Sequence, residues 1–175
     1  HKLRGMRYKF GDFSDVIKTT IKEDEGFRLN PYKLTYGPEG KKIKEKFQTG
    51  GYGHKILSGE TEPQGGYTKE YWDETFNSDF DTSLKAANKI IPEENLDPIA
   101  FGILTEMVYQ MGEGRVKGFK NAIKHLKAQD YDQAADQLLF NYNDKGEVTG
   151  KTGWHTQTPE RANRAADRLR NIERR

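Results

Sequence analysis

The stretch from Asp97 to Gly114 constrains the fold more than any other part of this 175-residue chain. Asp97-Pro98 joins a capping side chain to a proline at the first helical position, and Gly112 and Gly114 supply the stop. Between them Ile99, Phe101, Leu104, Met107, Val108 and Met111 spread a broad apolar face. A helix apolar over so much of its girth is a central one, and other elements must wrap it. The material for wrapping is limited. Hydrophobic residues make up 33% of the chain and charged residues 32%, so the core is modest and the surface heavily solvated. Nine Tyr and nine Phe give it bulk and separate the chain from a disordered one.

The pattern on either side predicts the wrapping elements. Phe13, Val16, Ile17, Thr20 and Ile21 recur at helical spacing, with Asp12 or Ser14 as cap and Gly26 as stop. From 27 to 57 aromatic and β-branched residues flank Gly37, Pro38 and Gly40, as in a β-hairpin with a long tip; 41–46 reads as a solvated strand or tip. A Gly/Pro/Ser-rich loop covers 58–66. Thr68 caps a helix running to about Asn88, and Pro92 interrupts the chain before Asp97. Val116–Leu126 and Tyr131–Phe140 read as two short helices. Residues 141–153 read as a polar connection, and Thr158-Pro159 opens an Arg-rich last helix. The sum is a mainly helical α+β protein: one domain over 1–175, with a small β-hairpin lobe at 27–66 and a larger helical part from 1–26 and 67–175.

Several functions are excluded early. No apolar run approaches the roughly 20 residues of a membrane span, so no membrane insertion is expected. Lys plus Arg number 29 against 27 Asp plus Glu, a net charge of +2 that is too small for a nucleic-acid binder. It suits a weakly basic protein working on an anionic polymer. The chain has no cysteine, hence no disulfide or thiolate chemistry. Its four histidines never fall at His-x-x-x-His spacing, and no metal or organic cofactor is implied. No signal peptide opens the chain. It begins at His1, before the first methionine Met6, and is read as a fragment or a processed product.

Two short segments could carry chemistry. Glu25 ends the first predicted helix, where the negative end of the helix dipole favours a protonated carboxyl. A carboxylic acid protonated near neutral pH is what glycosidic cleavage needs as proton donor. An ordinary exposed glutamate is the commoner occupant of such a position. Thr49-Gly50-Gly51-Tyr52-Gly53-His54 has glycines that admit close approach and a hydroxyl that can hold a water. A plain glycine-rich strand end would look the same.

Further residues make the pattern specific. Met107-Val108-Tyr109-Gln110-Met111-Gly112-Glu113 precedes Gly118-Phe119-Lys120-Asn121. Later comes Trp154-His155-Thr156-Gln157-Thr158-Pro159-Glu160-Arg161-Ala162. With Asp24-Glu25-Gly26, Arg28-Leu29, Tyr32-Lys33, Thr49, Gly53-His54, Thr68-Lys69, Phe76-Asn77 and Asp79 in order before them, the chain resembles the phage-type endolysins. That is the muramidase family of the T-even bacteriophage lysozymes, glycoside hydrolase family 24. The resemblance covers most of the chain.

The resemblance implies a lysozyme-like fold with a substrate cleft between the two lobes. It also implies hydrolysis of the β-1,4 bond between N-acetylmuramic acid and N-acetylglucosamine in bacterial peptidoglycan. Glu25 then matches the general acid and Thr49 the residue that seats the attacking water. Tyr109 and Gln110 match cleft-lining positions, and Gln137 falls where the family has a shorter substrate-binding amide. Arg161 matches the partner that orients the catalytic Glu, whose pKa it lowers while burial and the helix end raise it. His54 and Asp79 match a structural ion pair at the lobe junction. Relatives are mostly monomers that act on the cell wall, in the periplasm, after synthesis in a host cytoplasm or carriage in a virion.

One departure stands out. The family places a second acid nine residues after the catalytic Glu and six before the Thr. Leu34 occupies the first position and Ile43 the second, and the segment between Glu25 and Thr49 is longer than usual. An inverting glycosidase holds two carboxyls roughly 6.5–9.5 Å apart around a water. Glu39 sits in a turn tip. Glu45 shares a strand face with Thr49 but lies about 13 Å from it in an extended strand, so it is either the replacement or a solvated residue. Three readings remain: an inverting muramidase, a lytic transglycosylase in which Glu25 works alone, and a peptidoglycan-binding module with an impaired site. The basic residues Lys41, Lys42, Lys44, Lys46, Arg161, Arg164, Arg168 and Arg170 are solvated charge or an attraction to anionic wall polymers.

Overall fold

The computed structural model describes residues 9–32 and 48–172. The central helix forms where the sequence places it: α3, Pro98–Met111, buries Phe101, Ile103, Leu104 and Met107, and Asp97 accepts a hydrogen bond from the Ile99 amide at 2.9 Å. Before it come α1 (Ser14–Glu25), strands β1 (Arg28–Tyr32), β2 (Thr49–Gly51) and β3 (His54–Lys55), and α2 (Lys69–Ile90). After it come α4 (Glu113–Lys117), α5 (Lys120–Lys127), α6 (Tyr131–Leu139), β4 (Phe140–Tyr142), β5 (Val148–Lys151), α7 (Gly153–Gln157) and α8 (Pro159–Ile172). The described residues thus form a mainly helical α+β protein with two small antiparallel sheets, β1-β2-β3 and β4-β5.

These elements gather into two compact units. One covers 18–82; the other joins the segment up to Ile17 to residues from Ser83 onward. In the first, the sheet lies on α2. Gly50 and Gly51 have no side chain because the Trp72 indole occupies that space: a Cβ at either would stand 2.6 and 2.5 Å from ring carbons. Trp72 is buried, donates Nε1–H to the Leu29 carbonyl at 2.8 Å and stacks on Tyr67 at 4.8 Å between ring centroids. Tyr52 and Phe76 meet edge to face, and the Lys22 ammonium lies over both rings.

In the second unit α6 packs between α5 and α8. The facing residues Ala134, Ala135, Ala162 and Ala166 are wholly buried and small, which lets the helix axes come close. Phe10 meets Phe101 edge to face at 5.1 Å, and Gly102 leaves room for Ile17.

Four local readings change. Asp12 accepts from the Lys9 amide and Ser14 donates to the Gly11 carbonyl, each bond closing the 3-10 turn before α1. The expected helix over Val116–Leu126 is broken at Gly118, whose amide turns back to the Arg115 carbonyl at 3.1 Å. The polar connection at 141–153 is a β-hairpin, because Asn143 builds its turn by accepting from the Lys145 and Glu147 amides. Thr158 does precede the last helix, but its hydroxyl donates back to the Trp154 carbonyl at 3.2 Å. Leu34, Glu39, Ile43, Glu45 and the lysines of 41–46 lie outside the described residues.

Candidate active site

α1 stops after Glu25 because Gly26 takes a left-handed backbone, φ +71°, and returns its amide to the Lys22 carbonyl. Glu25 is half-buried there. Its carboxyl lies against the bare Cα of Gly53, in the turn from β2 to β3: a Cβ at Gly53 would stand 2.6 Å from Oε2 and 3.2 Å from Cδ. Gly53 also has φ +78°, a backbone that L side chains rarely adopt. The glycine that makes the turn is therefore also the seat of the carboxyl. Thr49 opens β2, paired with Tyr32 on one side and Lys55 on the other, and is half-buried.

The same turn carries His54, which ties the sheet to α2 and to the following loop. Its Nδ1 lies 2.6 Å from Asp79 and its Nε2 2.9 Å from Glu60. Glu60 in turn accepts from the Leu57 amide at 2.7 Å and closes the loop. The Asp79 hydrogen bond is the largest influence on His54; it outweighs burial, and with Glu60 it raises the imidazole pKa from 6.5 to about 9. His54 is thus a cation at neutral pH, held between two carboxylates within one unit, as the ion-pair reading requires. Burial pushes Glu60 up, but the Leu57 amide and His54 together pull it below the usual carboxylate value. Beside them Asp73 accepts from Lys69 and from the Tyr52 hydroxyl; the Lys69 bond chiefly holds it below its usual range.

In the second unit Tyr109 and Gln110 end α3, both half-buried. The Gln110 amide is already engaged: Oε1 accepts from Trp154 Nε1 at 3.0 Å and Nε2 donates to Thr158 at 3.1 Å. One N–H and one lone pair remain for any other partner. Gln137, on α6, faces a cleft of about 320 Å³ whose wall includes Asn121 and the β4-β5 hairpin. Arg161 stands half-buried in the first turn of α8. Of the other C-terminal arginines, Arg168 pairs with Glu106 at 3.1 Å and Arg170 with Asp136 at 2.7 Å, so part of the basic face is neutralised.

The hairpin is the part of this region that sequence reasoning missed. Its available signal was the Asn143-Asp144-Lys145-Gly146 turn, with Gly146 at φ +79°. Among the described residues no group of three or more His, Asp or Glu could hold a metal, and no helix is long and apolar enough to cross a membrane.

The first helix thus ends on a carboxyl set against a glycine turn of a small sheet, in a mainly helical α+β chain. The phage lysozyme family model matches residues 22–154, and the chain belongs to that family. Its activity is accordingly that of a peptidoglycan hydrolase acting on the cell wall. Two proteins of Dictyostelium discoideum are similar along most of their length. "Probable T4-type lysozyme 2" is 27% identical and "Probable T4-type lysozyme 1" 28%, each over 165 residues that cover 85% of this chain and 89% of the relative.

Proposed function

We propose that this chain is an inverting muramidase that cleaves the β-1,4 bond between N-acetylmuramic acid and N-acetylglucosamine. The observation that carries the reading is the Glu25 carboxyl seated against Gly53 at the end of α1. A proton donor must be held at fixed reach of the glycosidic oxygen, and a helix end packed against a left-handed glycine provides that rigidity. Glu25 gives its proton to the leaving oxygen of N-acetylglucosamine. Thr49 positions the water that attacks the anomeric carbon from the opposite face, and Arg161 orients Glu25.

Tyr109 and Gln137 contact the glycan. Gln110 contacts it only through the N–H and lone pair left over from Trp154 and Thr158. Leu34 and Ile43 offer no second acid, and Glu45 can take the proton of the attacking water only with the strand bent to bring it within reach of Thr49. The protein works as a monomer over a single domain.

Digestion of purified peptidoglycan, with products weighed by mass spectrometry, tests this. Reducing muramic-acid ends that disappear in Glu25→Gln are expected. Products lighter by one water would make the enzyme a lytic transglycosylase instead. Glu45→Gln is run beside it: retained hydrolysis there removes Glu45 from the mechanism.

A further inference from the structure

The turn that seats Glu25 has little stiffness of its own. Gly51 and Gly53 both take a left-handed backbone, φ +59° and +78°, and the helix end opposite stops on a third such glycine, Gly26. Glycine reaches these conformations freely and is held in them by nothing of its own. His54 anchors the far side of the turn on Asp79 and Glu60. Between the two glycines stands one side chain, Tyr52, and it is buried. Its hydroxyl donates to Asp73 Oδ1 on α2 at 3.1 Å and accepts from Lys69 at 3.4 Å.

The helix end reaches the same carboxylate. Lys22, one turn before Glu25 on α1, brings its ammonium to 3.7 Å from Asp73 Oδ1, the oxygen that accepts from Tyr52. That ammonium also lies 4.8 Å from the centroids of the Tyr52 and Phe76 rings. The Lys22 carbonyl accepts the Gly26 amide, so the residue that closes α1 is also the one that ties it to α2. Phe27, just past Gly26, packs on the Tyr52 ring at 5.1 Å. The Lys22 and Asp73 side chains remain 34% and 37% exposed, so their ion pair supplies orientation more than stability. Lys69 holds the second oxygen, Oδ2, at 3.1 Å, and this bond chiefly keeps the Asp73 carboxyl below its usual range. Asp73 therefore stays an anion at pH values where a general acid still carries its proton.

We infer that Asp73 is a positioning residue for Glu25: it clamps the end of α1, through Lys22, and the glycine turn, through Tyr52, to one point on α2. These are the two surfaces between which the Glu25 carboxyl is held. All the groups involved lie in the unit at 18–82. Aspartate suits the task because its two oxygens accept from donors on all three elements, whereas an amide would offer one acceptor and point N–H groups at the lysines. The inference deepens the proposed function and rests on it, since a clamp on Glu25 matters to turnover only where Glu25 is the proton donor.

The test follows turnover and the Glu25 carboxyl separately. Kinetics on soluble, uncross-linked peptidoglycan strands should show kcat lowered about tenfold or more in Asp73→Ala, with KM within about twofold of native. Tyr52→Phe keeps the buried ring and removes only the hydroxyl, so it should lower kcat in the same sense by less, and it carries the test alone where Asp73→Ala does not fold. The side-chain carboxyl resonance of Glu25, from carbon-13 glutamate and assigned by its loss in Glu25→Gln, should move in both variants. A purely structural role would lower the melting temperature and leave that resonance in place. A Glu25 resonance unmoved in the folded variants, or a loss carried by KM, overturns the clamp. So does native kcat in both variants when Glu25→Gln has abolished turnover, and Glu25 then stands as donor. Turnover that survives Glu25→Gln, with the resonance moved in both variants, does the reverse: the donor reading falls and the clamp remains.

Discussion

At Gly53 a single methyl group would do two kinds of damage. It would meet the Glu25 carboxylate at 2.6 Å, and it would sit on a backbone at φ +78°. The carboxylate is the mobile partner, so most of the clash is relieved by displacing the proton donor. Gly53→Ala should lower stability by about 1–3 kcal/mol and peptidoglycan turnover by about 100-fold. Thermal unfolding and product release measured on one preparation check both, and full activity in a folded variant would remove Gly53 from the site. His54 makes a prediction of opposite character, because its effect depends on pH. Its pKa is raised from 6.5 to about 9 in the folded state. The stabilisation is therefore complete below about pH 6.5 and is lost as pH rises through about 9. His54 remains partly solvated, so its contribution is put at no more than about 2 kcal/mol. His54→Asn should cost that much at pH 6 and little at pH 10, and pH-resolved thermal melts read the difference. Glu60 works in the other direction: its pKa is lowered, so its hold on the loop weakens as pH falls toward that pKa.

Among the elements, the β4-β5 hairpin and α7 meet at Thr152. Its hydroxyl is buried, donates to the Leu138 carbonyl at 2.7 Å and accepts from the His155 amide at 3.2 Å. Thr152→Val keeps the shape and strands both partners. The expected loss is about 1–3 kcal/mol, read by urea unfolding; an unchanged midpoint would mean the hairpin does not depend on this joint. The hairpin also shows where sequence reasoning stops. All of β5 is exposed, so its residues carry no alternation of apolar and polar groups to read. α3 was legible because burial, cap and stop agree along its whole length. The break at Gly118 was not, since the apolar positions run on through it while the backbone tightens into a turn. Glu25 and Thr49 were legible as positions in a pattern. That Gly53 is the surface on which Glu25 rests needed coordinates, because no spacing rule relates a helix end to a turn 28 residues later.

For the molecule as a whole, the two units are unequal in substance. The one at 18–82 has a core of few large groups, among them Ile21, Tyr52, Trp72, Phe76 and Phe80. The other buries the central helix and the alanine-lined faces of α6 and α8. Smaller cores hold a smaller share of their surface from water and open at lower free energy. Native-state hydrogen exchange should therefore release the amides of β1–β3 through a sub-global opening before those of α3, α6 and α8. Exchange of both sets at one common free energy would show a single cooperative unit instead.

Trp72 lies pressed under Gly50 and Gly51, and Trp154 is buried beside Gln110, one indole in each unit and no other tryptophan in the chain. The protein thus carries its own two-channel optical label. With Trp154→Phe, the remaining fluorescence reports the unit that holds Glu25. With Trp72→Phe, it reports the unit that holds Gln137. The two units can then be watched separately in real time, without attaching a dye.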